Sequence, residues 1–292
     1  MSYGKQRREQ AIEQALSMEA EEADKADALG FMSRALAQAT IPHSKAEGPE
    51  FSRRNGDLRL SILSPSDVGL PYGSKPRLLI GWVVTEAVRS QSRTLVLGSS
   101  LSEFMAKLDL MPTGGQWGSI TSLKQQMKRL FSSSITATYD TGPQFDLRNI
   151  QMVSKARLWW DPKSPDQTTL WESTLTLSEE FFEEVTERPV PIDMRAYRVL
   201  RDSPMCLDIY TWLTYRMSYL KKRTVIPWEA LEAQFGSNYK DPKNFRAAFR
   251  KHLNRVLAVY HMAQVAEVDR GVELRPSPPH VRQLVVENPG GR

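Results

Sequence analysis

The sequence predicts an α+β fold, and two observations lead to this prediction. Segments with apolar residues at helical spacing alternate with short extended segments over most of the 292 residues. The same order of elements (helix, short strand, helix, turn, helix and two strands) then occurs twice, with low sequence identity between the two halves. This recurrence favours two tandem domains of one architecture.

The first half shows this order clearly. Ser100 and Glu103 have the spacing of a capping box at the start of one helix. Two glycines, Gly114 and Gly115, form the turn before the next helix. The predicted elements are a strand at 58–63, a helix at 75–91, a strand at 93–98, helices at 99–110 and 117–132, strands at 134–140 and 149–161, and a strand followed by an acidic helix within 169–188.

The second half repeats the order. One of its helices begins with Pro227 and ends with Gly236, the usual asymmetry of helix ends. The dipeptide Asp269-Arg270 followed by Gly271 is typical of a short hairpin turn. The predicted elements are helices at 193–202 and 204–220, a short strand at 223–228, helices at 227–236 and 242–261, and two strands within 263–277.

A helix-turn-helix followed by a β-hairpin is a winged helix, so the sequence predicts tandem winged-helix domains. We expect the first winged-helix domain at 51–188 and a second, DNA-binding winged-helix domain at 189–292. Residues 1–50 are charged and poor in apolar positions, and they predict an N-terminal arm that is helical or disordered.

Composition bounds the classes of partner. The net charge of +5 and the pI of about 9.2 favour nucleic acid or another anionic partner. Cys206 is the single cysteine, so an internal disulfide is impossible and a reducing compartment fits. No apolar run approaches the roughly 20 residues of a membrane helix, and the first residues lack the apolar core of a signal peptide. We therefore expect a cytoplasmic protein without a membrane partner.

The helix at 242–261 carries a basic face. Phenylalanine, leucine and valine residues at three- and four-residue steps predict a buried stripe, and the opposite face holds lysines, arginines and asparagines. Asp241 is the only acid nearby in the sequence. Like charges at helical neighbours repel each other, so a face of one sign is unfavourable without an anionic partner. Phosphates of a nucleic acid would supply that partner.

The helix at 117–132 follows the same logic. Its polar face carries glutamine and arginine, which can pair with base edges, and serine and threonine, which can bind phosphates or bases. A solvated face and a mononucleotide-binding loop are the alternatives, although "TGGQWGSIT" matches neither the Walker pattern nor GxGxxG after a strand. The residues predicted to contact DNA are Ser119, Ser122, Gln125, Gln126, Lys128 and Arg129 of this helix, Lys243, Asn244, Arg246, Arg250, Lys251 and Asn254 of the second helix, and Arg270 at the tip of the second hairpin.

No set of residues predicts catalysis. The four histidines, His43, His252, His261 and His280, are scattered and form no metal-binding pattern. The glutamate-rich segment 178–187 could hold a metal, but a solvated helix face accounts for it better. We therefore expect no enzymatic activity, no catalytic residue, no metal and no cofactor.

Residues 70–131 resemble the RepA-type plasmid replication initiators. The resemblance lies in "LPYGSKPRLL", "TEAVR" and "PTGGQWGSI", and it extends more weakly over 57–285. It implies a protein that binds repeats in a plasmid origin as double-stranded DNA, promotes opening of the duplex and recruits host replication initiator and helicase proteins. It also implies a homodimer in equilibrium with a monomer.

Two different reading helices in one chain would contact successive major grooves about 10 bp apart. Several chains would then occupy direct repeats (iterons) of roughly 20 bp. A transcriptional regulator that binds an inverted repeat is the alternative, and such a site would also suit repression of the protein's own gene. A nicking or priming enzyme is a third hypothesis.

Overall fold

The computed structural model describes residues 28–161, 163–169, 172–236, 239 and 241–281. Over these residues the chain is a mixed α+β protein with one continuous hydrophobic core, so the predicted α+β class is confirmed. Most of the predicted N-terminal arm, residues 1–27, lies outside the described residues. No helix of the described part is both long enough and apolar enough to cross a membrane.

The elements of the first half are β1 (Leu29–Met32), α1 (Arg34–Gln38), β2 (Glu50–Asn55), β3 (Leu58–Leu63), α2 (Ser74–Ser90), β4 (Thr94–Gly98), α3 (Leu101–Lys107), α4 (Ser119–Phe131), β5 (Ser134–Asp140), β6 (Phe145–Gln151), β7 (Val153–Arg157), β8 (Ser173–Leu177) and α5 (Glu179–Glu187). Those of the second half are β9 (Val190–Asp193), α6 (Met194–Leu200), α7 (Pro204–Tyr219), β10 (Thr224–Pro227), α8 (Trp228–Phe235), α9 (Pro242–Val259), β11 (Val265–Val268) and β12 (Gly271–Leu274).

Each half contains a three-stranded sheet with the same strand order. In the first half, three antiparallel strands form a sheet in the order β4-β8-β7. In the second half, the corresponding strands form a sheet in the order β10-β12-β11. In each half the strand that precedes the helix pair lies beside the last strand of the half. The recurrence seen in the sequence is therefore confirmed only for the strand order of these two sheets. The strands that directly follow α4, β5 and β6, belong to a separate sheet with β2 and β3, so they do not occupy the place predicted for the first hairpin.

The strand predicted at 149–161 is wrong as a single element. It breaks at Met152 into β6 and β7, which belong to different sheets. Met152 and Val153 are both buried, and a straight strand cannot bury two consecutive side chains on one face. Strand β6 pairs with β5, and β5 pairs on its other side with β3, which gives a four-stranded sheet in the order β2-β3-β5-β6.

The described part of the predicted arm, residues 28–50, needs correction, because it packs against both halves. Strand β1 pairs with β9 of the second half, and Met32 and Ile41 are buried in the core. The Glu184 carboxylate accepts hydrogen bonds from Ser33 Oγ (3.1 Å) and from the Ala35 backbone N–H (3.2 Å) at the start of α1. Residues 28–50 are therefore part of the folded core structure and not an arm outside it.

A buried ion pair joins the two halves. Arg77 of α2 donates to both carboxylate oxygens of Asp208 of α7, over 2.7 Å and 2.6 Å. Its guanidinium also donates to the carbonyls of Ile41 and Gly73, and His43 Nε2 lies 2.7 Å from Asp208 Oδ2. Burial alone would raise the pKa of Asp208, but the charge of Arg77 and its bonds outweigh this, so the pKa is lowered.

Candidate nucleic-acid interface

Helix α4 buries one stripe and exposes a basic face. Ile120, Leu123 and Leu130 are buried in the core, as their helical spacing predicts. Lys124 and Lys128 are exposed on the other side of the helix. The residues of the helix include no Asp or Glu.

Gln126 was predicted to contact DNA, and this prediction is wrong. The side chain is 4% exposed, and its Oε1 accepts a hydrogen bond from the Tyr72 backbone N–H over 2.9 Å. Positions 123, 126, 127 and 130 have the spacing of one helical stripe, so Gln126 lies on the buried face together with Leu123 and Met127. The periodicity alone could have located it.

Two other predicted residues of α4 have structural contacts. Arg129 is half-buried, donates from Nη1 to the Leu70 carbonyl over 3.2 Å and lies with its guanidinium 5.1 Å from the centroid of the Tyr72 ring. Ser119 Oγ donates to the Met111 carbonyl over 2.5 Å. Of the remaining predicted residues, Gln125 and Lys128 are exposed and Ser122 is half-buried.

Helix α9 agrees more closely with its prediction. Asp241 caps its first turn by accepting from the Lys243 backbone N–H over 2.8 Å. Phe245, Phe249 and Val256 are buried and fix which face points inward. The predicted contact residues are exposed, apart from half-buried Arg246; they are Lys243, Asn244, Arg250, Lys251 and Asn254.

The sequence suggested that the exposed face of α9 has only positive charges around it, but two acids from other elements lie beside it. Arg246 Nη2 lies 3.7 Å from Glu229 Oε1 of α8, and Arg250 Nη2 pairs with Glu267 of β11. The two guanidiniums lie 5.8 Å and 5.2 Å from the ring centroid of Trp228. Both acids come from other elements, so inspection of the α9 sequence could not reveal them.

A groove runs beside these arginines. It has a volume of about 510 Å³ and is lined by Val225, Pro227, Trp228, Glu229, Arg246, Asp269 and Arg270. Arg270 is exposed at the turn between β11 and β12, where the hairpin signal placed it. The groove thus lies between this turn and the start of α8, with the basic side chain of Arg246 in its wall.

His252 of α9 contacts the start of α7 and is not part of the exposed basic surface. Its Nδ1 lies 3.2 Å from Ser203 Oγ and 3.3 Å from Cys206 Sγ. Burial lowers the pKa of His252 to about 4 and raises the pKa of the Cys206 thiol. Within the described residues, no group of three or more His, Cys, Asp or Glu side chains is arranged to hold a metal ion.

Comparison with known proteins gives one family and one fold. A family model described as plasmid encoded RepA protein matches residues 70–230, from the segment before α2 to the first turn of α8. A crystal structure of domains 2–3 of RctB is similar, with a TM-score of 0.52 and 12% identity over 82% of this chain and 94% of that one.

A structure of selenomethionine derivatives of domains 2 and 3 of RctB has a TM-score of 0.50 and 10% identity, over 84% of this chain and 96% of that one. At these identities the likeness concerns the fold alone. No curated protein sequence matches the chain.

Proposed function

The chain belongs to the family of plasmid encoded RepA proteins, and from this membership we propose that it initiates plasmid replication by binding direct repeats in the origin. The observation that carries the proposal is the family match over residues 70–230, more than half of the chain. The bound species is duplex DNA, and the protein acts in the bacterial cytoplasm.

We assign both halves to the winged-helix architecture. The shared strand order, β4-β8-β7 and β10-β12-β11, supports this assignment, because in each half two later strands join the strand that precedes the helix pair. In the second half these strands follow α9 directly, whereas in the first half the hairpin β5-β6 lies between α4 and β7. In such domains the second helix of the pair enters the major groove. Helices α4 and α9 are therefore the proposed reading helices, within domains at 51–188 and 189–292.

The proposed DNA contacts are the predicted residues without Gln126. Most of these side chains are exposed. Contacts between their positive charges and phosphates would make DNA binding weaken steeply as the salt concentration rises. Arg246 and Arg250 can contribute while their acids orient them. The proposed contacts are Ser119, Ser122, Gln125, Lys128, Arg129, Lys243, Asn244, Arg246, Arg250, Lys251, Asn254 and Arg270, together with Lys124.

After binding, the protein promotes opening of the duplex and recruits host replication initiator and helicase proteins. It exchanges between homodimer and monomer, and it performs no covalent chemistry itself. Incubation of the purified protein with supercoiled plasmid, Mg²⁺ and nucleoside triphosphates should yield neither nicked circles nor primers. Either product would replace this part of the proposal with an enzymatic role.

Footprinting on the DNA that flanks the protein's own gene, at two salt concentrations, tests the proposal. We expect protection of several repeats in the same orientation, with a steep loss at the higher salt. Protection of one inverted repeat would instead identify a transcriptional regulator. No protection at either salt would mean that the basic faces of α4 and α9 serve another partner.

A further inference from the structure

The loop between α3 and α4 displays an aromatic side chain. We call residues 111–118 the Trp117 loop. Trp117 is 91% exposed, the largest exposed fraction of any large hydrophobic side chain in the described part of the chain, and Met111 in the same loop is 79% exposed. The loop leads directly into α4, which begins at Ser119.

Hydrogen bonds from α4 hold the Trp117 loop in place. Ser119 Oγ donates to the Met111 carbonyl and accepts from the Thr113 backbone N–H over 2.9 Å, while the Ser119 N–H donates to Thr113 Oγ1 over 2.8 Å. Thr121 Oγ1 donates to the Gly115 carbonyl over 2.9 Å. The start and the middle of the loop are therefore bonded to α4, into which the loop leads.

Two glycines make this loop possible. Gly115 has a φ of +88°, a conformation that side chains with a Cβ rarely adopt. A Cβ on Gly118 would lie 2.2 Å from the Thr113 carbonyl oxygen, so the loop closes onto α4 only with glycine there. The glycines thus shape a loop that leaves the indole of Trp117 exposed.

The surroundings of Trp117 suit an anionic partner. Residues 111–131 contain no Asp or Glu, and Lys124 and Lys128 are exposed on the following helix. An exposed indole in the loop that leads into a helix with two exposed lysines matches a nucleic acid, which offers phosphates to the cations and flat bases to the ring. A partner protein that was only acidic would match the lysines but would offer no aromatic face to the indole.

We propose that Trp117 stacks on a DNA base at an unpaired or unstacked step beside α4. The inference rests on the proposed function and specifies one contact of its DNA surface. In intact duplex both faces of a base are covered by its neighbours, so an indole gains this contact only where a step has opened. Trp117 therefore favours opened over closed DNA, and it does so with little preference for sequence.

The test compares Trp117→Ala with wild-type protein on two forms of the footprinted site. One is the intact duplex, and the other is a set of duplexes with a three-base mismatch bubble placed at successive positions. In each bubble one unpaired adenine is replaced by 2-aminopurine, whose fluorescence reports stacking. Trp117→Phe keeps an aromatic ring, and Gln116→Ala is the matched control because Gln116 is an exposed residue of the same loop.

We expect wild-type protein to quench 2-aminopurine at one bubble position, and Trp117→Ala to abolish this quenching. Trp117→Ala should lose about tenfold in affinity for that bubble and little for intact duplex. Trp117→Phe should keep part of both effects, and Gln116→Ala should keep all of them. Unchanged thermal melting of the variants would show that the loop substitutions leave the fold intact.

Equal affinities of Trp117→Ala and wild type for every bubble would overturn the inference and leave the DNA-binding proposal standing. A change in oligomeric state in sedimentation without a change in DNA binding would also overturn it, because Trp117 would then contact a second copy. Failure of wild-type protein to bind either form would refute the proposed function, and the inference with it.

Discussion

Replacing Asp208 by Ala should strongly destabilise the protein. The side chain of Arg77 is 3% exposed and that of Asp208 is 10% exposed, so the substitution leaves a buried guanidinium without its counter-ion. Removing one partner of a buried ion pair costs about 3–5 kcal/mol. Arg77 keeps its bonds to the carbonyls of Ile41 and Gly73, so we expect a loss near the lower end, about 3 kcal/mol.

Urea unfolding at neutral pH, followed by fluorescence and circular dichroism, measures this loss. The matched control is Arg198→Ala, because Arg198 also binds a carboxylate, that of Asp109, over 2.6 Å, but its side chain is 56% exposed. That control should cost less than about 1 kcal/mol. In a double variant of Arg77 and Asp208, the combined loss should be smaller than the sum of the single losses. Equal losses for Asp208→Ala and Arg198→Ala would refute the reasoning.

Three further predictions concern the interface and the C-terminal segment. Gln126→Ala should lower the free energy of unfolding by about 1 kcal/mol, because it removes the part-buried hydrogen bond from the Tyr72 backbone N–H. Gln125→Ala should lower only DNA affinity. The reverse pattern in urea titrations and gel shifts would contradict the burial of Gln126. Glu267→Gln should lower the ratio of specific to random-sequence DNA affinity, because it releases Arg250 from the carboxylate that orients it. Asp269→Asn makes the same change in charge and should raise the specific and the random-sequence affinity alike. Identical effects of the two substitutions would mean that Glu267 acts through charge alone. Burial lowers the pKa of His280 from 6.5 to about 4, so the unfolded chain binds this proton at a higher pH than the folded chain, and the free energy of unfolding falls as the pH drops from about 6.5 to about 4. His280→Gln should reduce the slope of the free energy of unfolding against pH by up to ~1.4 kcal/mol per pH unit. An unchanged slope would assign the effect to other groups.

Local periodicity predicted the helices well. The helix predicted at 242–261 is α9 at Pro242–Val259. It could be predicted because its buried phenylalanines and its capping residue are all close together in the sequence. The pairing of β5 with β3 was not predictable in this way, since residues 64–133, including α2, α3 and α4, lie between the two strands. The register of such distant strands depends on tertiary packing, which leaves little trace in the pattern of one segment.

The same distinction holds for the candidate interface. The exposure of Lys251 and Asn254 follows from helical spacing, whereas the acids beside Arg246 and Arg250 come from α8 and β11 and meet them only in the folded chain. Trp117 was missed for another reason. The helix was predicted to begin at Trp117, but it begins at Ser119 after the N-cap Gly118. A shift of about two residues at a helix end changes a helical residue into a loop residue.

The Arg77–Asp208 pair also has a consequence for the proposed binding of two half-sites on DNA. Because α2 and α7 are joined through buried charges, the separation of the two halves is not free to follow a target of variable length. A pair of half-sites moved apart by about 5 bp would turn its second groove to the opposite side of the duplex. Under the proposed function, the protein would therefore bind only half-sites at one fixed separation, and that separation would be specified as strictly as the bases.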